Sequence, residues 1–152
     1  MQDQITRSII VKAPVSHVYN LWANFEHFPN FMKNIKSVRK TGDRTSHWVM
    51  EGPLGKQVEW EAETIRMEEN QRVAWNNRGQ GDITTSGQVT FKELPYGETE
   101  VTVTMQYVPP AGKAGEIIAE IFSDPEKQLQ EDLHNFKLYA ERTFSEGRAV
   151  GR

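Results

Sequence analysis

The 152-residue chain has no cysteine, which excludes disulfides, thiolate metal sites and a cysteine nucleophile. It also has no apolar run near the roughly 20 residues that a membrane-spanning helix needs. The first residues, MQDQITRS, lack the basic start and the apolar block of a signal peptide. We therefore expect a cytoplasmic protein without a transmembrane segment. Transient contact with a membrane is still compatible with this composition.

Basic residues are in slight deficit, because 18 Lys and Arg stand against 21 Asp and Glu and give a formal net charge of -3. A nucleic-acid binder would carry a clustered basic face, so no nucleic-acid partner is expected. The sequence has no phosphate-binding loop, dinucleotide fingerprint or nucleophile elbow. No two histidines have metal-ligand spacing among His17, His27, His47 and His134. The sequence therefore predicts neither a cofactor nor a metal site.

Large aromatic side chains are abundant, and many of them lie between Ile9 and Met32. A β-branched run ends there at Ala13-Pro14, and a proline suits the first position of a helix. Four apolar side chains then share one helical face: Val15, Val18, Tyr19 and Trp22. Phe25, Phe28, Phe31 and Met32 follow, interrupted by Pro29. The segment predicts two short helices after the first strand, which together form a lid over a pocket.

The middle of the chain alternates apolar and polar residues between turn signals, which is typical of antiparallel strands. The clearest strand covers residues 57–64, with Val58, Trp60 and Ala62 on one face. Glu59, Glu61 and Glu63 lie on the other face, where solvation is a better account than acid–base chemistry. Further strands are predicted at 46–51, 72–76, 84–92 and 100–108.

The end of the chain changes to helical spacing. Ile117, Ile118, Ile121 and Phe122 recur at this spacing, and Ser123 and Glu126 have the spacing of a capping box. One apolar stripe then continues through Leu129, Leu133, Phe136, Ala140 and Phe144. Sheet and helix can bury their apolar faces together only if the sheet curls around the helix. The predicted fold is α+β, with a curved antiparallel sheet of about seven strands around a long C-terminal helix, as one domain over residues 1–147 with a frayed tail at 148–152.

The chain resembles the START-like superfamily of polyketide cyclase/dehydrase and lipid-transport proteins, which includes the birch pollen allergen. The resemblance rests on the order of Ala13-Pro14, Val18, Trp22, Phe28-Pro29, Phe31-Met32, Trp60, Trp75, Gly87-x-Val89-x-Phe91, Tyr107-x-Pro109 and Asp124-Pro125-Glu126-x-x-Leu129-x-x-Asp132-Leu133-x-x-Phe136-Lys137. The chain looks most like a small bacterial branch related to the coenzyme Q-binding START proteins. Membership implies a helix-grip fold with an apolar cavity between the sheet and the terminal helix, but no single chemistry.

Our first hypothesis is a non-catalytic protein that binds or transports a small hydrophobic ligand in this cavity, such as a quinone, a lipid or an aromatic polyketide-like molecule. Three tryptophans on successive strands are hard to pack to interior density without a void, and methionines adapt to such a void. The residues expected to contact the ligand are Trp22, Phe28, Phe31, Met32, Trp48, Met50, Trp60, Trp75, Phe91, Met105, Tyr107, Ile118, Phe122, Leu129 and Leu133. The Phe25 to Met32 segment and the Asn76 to Asp82 loop would form the gate.

Two alternatives stay open at this stage. A polyketide cyclase, aromatase or dehydratase would need a polar group in the cavity; Tyr107 is the best catalytic candidate, with Thr64, Tyr19 or His27 at the mouth. The favoured interpretation of Tyr107 is nevertheless a core aromatic whose hydroxyl finds a backbone partner. The second alternative is a protein-interaction module with a filled cavity and a functional outer surface. The sequence does not specify the oligomeric state.

Overall fold

A computed structural model describes residues 3–52, 55–77, 84–108 and 125–151 of the chain. Within these ranges the strands are β1 (Asp3–Val11), β2 (Ile35–Lys40), β3 (Thr45–Glu51), β4 (Gln57–Glu68), β5 (Arg72–Asn77), β6 (Thr84–Leu94) and β7 (Glu98–Val108). The helices are α1 (Val15–Ala23), α2 (Pro125–Gly151) and two 3₁₀ helices, Phe25–Asn30 and Pro95–Gly97.

The seven strands form one sheet in the order β1-β7-β6-β5-β4-β3-β2. Every neighbouring pair is antiparallel, and β1 joins the last strand of the chain, with Ile5 opposite Met105. The inner face of the sheet and the apolar stripe of α2 share a single buried cluster. The predicted helix-grip architecture, including two short helices after β1, is therefore confirmed.

The outer face of β4 carries the three glutamates, as the alternation predicts. Val58, Trp60 and Ala62 are buried, whereas the side chains of Glu59 and Glu61 are 52% and 43% exposed. His47 on β3 lies between the two glutamates, with Nε2 2.8 Å from Glu59 Oε1 and Nδ1 3.8 Å from Glu61 Oε2. This histidine therefore points away from the core.

Strand β2 was not among the strands that alternation predicts, and its sequence explains why. Its buried residues, Ile35 and Val38, are three positions apart instead of two. The pairing with β3 is irregular between Ile35 and Ser37, so the usual period of two is lost at that point. An edge strand with only two buried side chains gives little signal in the sequence.

Helix α2 buries the stripe expected for it, through Leu129, Leu133, Phe136 and Ala140, while Phe144 is partly buried. The backbone of α2 is helical to Gly151, and the expected domain limit at residue 147 with a frayed tail stays a prediction. Elongating an existing helix costs little, and Arg148 and Ala149 are good helix formers. The expected helical turns with Ile118 and Phe122 fall outside the described residues.

Gly87 on β6 allows the ring of Trp75 to approach the backbone of the sheet closely. The two residues are opposite each other in the β5–β6 pairing. A Cβ atom at Gly87 would come within 2.8 Å of the Trp75 ring, 2.5 Å of the Thr104 carbonyl oxygen and 2.9 Å of the Met105 Cα. Two of these neighbours are backbone atoms of β7, so the sheet cannot yield cheaply.

We expect Gly87→Ala to destabilise the protein by about 1–3 kcal/mol, because the added methyl group overpacks the Trp75 site. Chemical denaturation monitored by tryptophan fluorescence would measure the loss. Gln88→Ala, at the next position and on the opposite face of β6, is the control and should change stability by under about 0.5 kcal/mol. Equal stabilities of Gly87→Ala and wild type would contradict this packing.

Candidate functional site

An apolar cavity of about 130 Å³ lies between the inner face of the sheet, the first 3₁₀ helix and α2. Its wall is mostly aromatic and aliphatic, with three polar residues. The lining residues are Ile5, Trp22, Phe25, Phe28, Met32, Asn34, Ile35, Trp48, Met50, Trp60, Ala62, Val73, Trp75, Thr85, Val89, Val103, Met105, Leu129 and Asp132. That volume corresponds to roughly four water molecules at about 30 Å³ each, which is room for a small ring system.

Flat rings form one side of the cavity. Trp48 and Trp60 stack across β3 and β4, with centroids 5.9 Å apart and planes inclined by 15°. Phe25 and Phe28 of the lid contact Trp48 at centroid distances of 5.6 and 5.3 Å. Rigid rings of this size pack against each other without filling the space beside them, so the cavity follows from the residue types that surround it.

Most of the predicted ligand contacts line this cavity: Trp22, Phe28, Met32, Trp48, Met50, Trp60, Trp75, Met105 and Leu129. Phe31, Phe91 and Leu133 are not among its described lining residues, and their contact with a ligand stays a prediction. Phe31 packs on Phe136 at 5.0 Å, and Phe91 packs edge-on against Tyr19 at 5.6 Å. Leu133 is 2% exposed and belongs to the solid part of the core under α2.

The polar candidates named from the sequence are spread over several places. The backbone of Tyr107 pairs with Asp3 and Thr85 in the sheet, but its side chain is outside the described part of the structure. Ile118 and Phe122 lie wholly outside that part. Tyr19 is buried behind the cavity against Phe91. Thr64 is buried beside a second hollow, between β2–β4 and the α1 end, where its amide donates to the Arg44 carbonyl at 2.7 Å.

His27 lies in the lid, where it fastens the first 3₁₀ helix to α2. Its Nδ1 lies 3.2 Å from the hydroxyl of Tyr139, and Asn30 Nδ2 donates to the same hydroxyl at 3.3 Å. The guanidinium of Arg142 covers the Tyr139 ring at 5.5 Å, a cation–π contact. The contacts of His27 and Asn30 with the Tyr139 hydroxyl therefore fix the position of the lid on α2.

Asp132 is the functional candidate that the sequence reasoning missed. It lines the cavity, and its Oδ1 accepts a hydrogen bond from Gln128 Nε2 at 3.1 Å. Burial raises the pKa of Asp132 to about 7, although the bond from Gln128 and the charge of Lys33 act in the opposite direction. A signal was present, because Asp132 lies three residues after Leu129 and next to Leu133, at the border of the buried stripe.

His17 is a structural histidine. Its Nε2 lies 3.0 Å from both the Ala140 carbonyl oxygen and Thr143 Oγ1, and burial lowers its pKa. Its ring also contacts Phe144 at 5.4 Å. Across the described ranges, no three His, Asp or Glu side chains are arranged to hold a metal ion. No helix in these ranges is both long and apolar enough to span a membrane.

The fold and cavity define a START-like helix-grip protein, and comparison with known proteins agrees. Residues 11–133 match the family model described as polyketide cyclase/dehydrase and lipid transport. An uncharacterised 17.2 kDa protein of Streptomyces lincolnensis is 32% identical over 144 residues, which cover 95% of this chain and 93% of that protein. The chain therefore belongs to the polyketide cyclase/dehydrase and lipid transport family.

Solved structures share the fold of this chain. A Deinococcus radiodurans protein superposes with a TM-score of 0.72 at 29% identity, covering 93% of this chain and 99% of that one. The Zhui aromatase/cyclase of a Streptomyces species gives a TM-score of 0.74 at 16% identity, with coverages of 93% and 95%. A START superfamily protein of Mycobacterium smegmatis gives 0.65 at 16% identity, with coverages of 94% and 97%. The last two are similar in fold alone.

The raised pKa of Asp132 predicts how stability depends on pH. The folded protein keeps this proton up to about pH 7, whereas the ordinary value of 3.8 applies to the unfolded chain, so stability falls as pH rises between those values. Asp132→Asn removes the penalty. We expect its advantage over wild type to grow by about 2–3 kcal/mol from pH 5 to pH 8, since each pKa unit is worth about 1.4 kcal/mol.

Urea denaturation at several pH values measures this difference in unfolding free energy. Glu146→Gln, which changes a 62% exposed carboxylate of the same helix, should give a curve parallel to that of wild type. A pH-independent difference between Asp132→Asn and wild type would show that Asp132 has an ordinary pKa.

Proposed function

We propose that this protein binds a small, largely apolar molecule with a flat ring system in the cavity, and that it acts as a carrier for a quinone, a lipid or an aromatic polyketide-like compound. The observation that carries the proposal is the cavity wall, in which aromatic and aliphatic side chains surround a space that the described side chains leave open. Pockets of this composition are typical of small-molecule sites. The family description, which names polyketide cyclases and lipid transport, supports the same ligand classes.

Burial of apolar surface would drive binding. A ligand that loses about 300 Å² of apolar surface gains about 7 kcal/mol at about 25 cal/mol per Å², before the cost of association is subtracted. The nearly parallel rings of Trp48 and Trp60 offer a flat surface on which a planar ligand can stack. No ion pair is needed for useful affinity.

The lid supplies a route for the ligand. Phe25, Phe28 and Met32 line the cavity, so displacement of this segment would open it. The contacts of Tyr139 with His27 and Asn30 hold the same segment on α2. We therefore assign the gate to the Phe25 to Met32 segment. The other predicted gate element, the Asn76 to Asp82 loop, lies outside the described residues from 78 onward.

A cyclase or dehydratase acting in the same cavity is the second candidate function. Asp132 favours it, because an ionisable group with a pKa near 7 in an apolar site is suited to proton transfer. Turnover of a poly-β-keto substrate that is lost in Asp132→Asn would identify an enzyme. Binding without turnover would leave the carrier.

Filling the cavity tests the proposed function. Ala62 is 3% exposed and lines the cavity, so Ala62→Leu should occupy ligand space and weaken binding of the neutral fluorophore N-phenyl-1-naphthylamine at least about tenfold. Fluorescence titration measures the dissociation constant. Leu138→Ala, at a 52% exposed position of α2, is the control and should bind like wild type. Undiminished binding to a folded Ala62→Leu protein would place the probe elsewhere.

Loosening the lid tests the gate. Tyr139→Phe removes the hydroxyl that contacts His27 and Asn30 but keeps a ring for Arg142. We expect the fluorophore to associate and dissociate about three- to tenfold faster, with a dissociation constant within about threefold of wild type, because the barrier changes more than the bound state. Stopped-flow fluorescence provides both rates. Unchanged rates would mean that the ligand enters by another route.

The ligand class can be identified by extraction. Protein purified from its own host and analysed by native and denaturing mass spectrometry should carry a quinone, lipid or aromatic compound in near-stoichiometric amount. A protein free of ligand, together with no binding of the neutral fluorophore, would contradict the carrier function.

A further inference from the structure

The polar groups of the cavity are concentrated on the side where the lid meets α2. Asp132 lies on α2, and Asn34 follows Lys33 directly in the segment after the lid. Lys33 Nζ is 3.5 Å from Glu131 Oε1, which brings this segment next to the turn of α2 that carries Asp132. Thr85 is the third polar lining residue and lies on β6. Its hydroxyl already donates to the Gln106 carbonyl at 3.3 Å, so its proton is not free for a ligand.

Trp22 adds a buried hydrogen-bond donor to the same side. Its side chain is 2% exposed and lines the cavity, and its ring lies 5.0 Å from that of Phe136, one helical turn beyond Asp132. Within the described ranges the indole Nε1 has no hydrogen-bond partner. A buried N–H group without an acceptor is unfavourable, so this donor is available to a ligand oxygen that reaches it from the cavity.

The charges around the cavity restrict what this oxygen can be. No Lys, Arg or His is among the described lining residues, so nothing on the wall would compensate a ligand carboxylate or phosphate. The charged groups that act on Asp132 are Lys33, in the segment after the lid, and Glu131, on α2. These two pair with each other, and their side chains are 61% and 46% exposed.

We infer that the ligand is a neutral, mostly apolar molecule with one carbonyl or hydroxyl oxygen, and that Trp22 Nε1, Asn34 and the protonated carboxyl of Asp132 receive this oxygen at the lid end of the cavity. The inference rests on the proposed function and deepens it, because it separates oxygenated ring compounds from hydrocarbons, fatty acids and phospholipid headgroups. Ionised Asp132 accepts hydrogen bonds but cannot donate one, so a carbonyl ligand loses a donor when this residue loses its proton.

A matched pair of probes tests the oxygen site. Tetralin and 1-tetralone share a bicyclic frame and differ by one carbonyl group, and each can be measured by displacement of N-phenyl-1-naphthylamine. At pH 5.5 we expect wild type to bind 1-tetralone about tenfold more tightly than tetralin. Because burial raises the pKa of Asp132 to about 7, this preference should shrink to about threefold or less at pH 8.5.

Three variants assign the preference to residues. Asp132→Leu and Trp22→Phe each remove one donor and should reduce the tetralone preference about three- to tenfold, while tetralin still binds. Asp132→Asn keeps an N–H donor and should retain the preference without its pH dependence. Glu146→Gln, an exposed carboxylate of α2, is the control and should behave like wild type.

The outcomes distinguish this inference from the proposed function. Equal affinity for tetralin and 1-tetralone, or a preference that survives in both Asp132→Leu and Trp22→Phe, would overturn the oxygen site and leave the apolar cavity. Tighter binding of 1-aminotetralin or of tetralin-1-carboxylate than of the ketone would also overturn it, in favour of a charged ligand. Failure of all probes to displace the fluorophore would overturn the proposed function as well.

Discussion

The burial of the apolar stripe of α2 inside the sheet is the constraint on which the rest of the structure depends. Leu133, Phe136 and Ala140 are nearly or fully inaccessible, and they can be so only if the sheet bends around the helix. β1 extends the sheet beyond β7, and the buried hydroxyl of Thr99 reinforces that pairing by donating to the Ala13 carbonyl at 2.8 Å. Leu129, at the start of the stripe, lines the cavity, whereas Leu133, Phe136 and Ala140 are not among its described lining residues.

The same aromatic residues that stabilise the core also keep it open. Trp22, Phe28 and Phe31 contact one another at centroid distances of 5.0 to 5.9 Å, and this cluster extends to α2 through Phe136. Their rings hold the lid on the helix from within, whereas the contacts of Tyr139 hold it from outside. Under the proposed function, the lid would move while the hydrogen-bonded sheet stays in place. A ligand could then pass without unfolding of the sheet.

Regular patterns in the sequence predicted the fold well, whereas irregular features escaped. The alternation through Trp60 and the stripe through Phe136 specified the strand and helix faces directly, since each pattern matches the period of its element. Strand β2 was not predicted, because its pairing with β3 is irregular next to Ile35 and its buried residues do not alternate. Which inward residue borders a void and which packs solidly depends on neighbours distant in the chain, so the sequence alone could not show that Phe91 and Leu133 pack in the core.

Asp132 shows how a position that is unfavourable for folding can be informative about function. An apolar residue there would continue the buried surface around Leu129 and Leu133 and would spare the protein the cost of a buried carboxyl group. Asp132 instead places a carboxyl group beside a mostly apolar cavity, where Gln128 donates a hydrogen bond to it. This arrangement departs from the pattern of the core. Asp132 therefore lowers the stability of the fold near neutral pH, and it also gives the described cavity lining an ionisable group. A bound oxygen that engages the neutral acid would favour the protonated state and thereby reduce this loss, so ligand binding and the protonation of Asp132 should be thermodynamically linked.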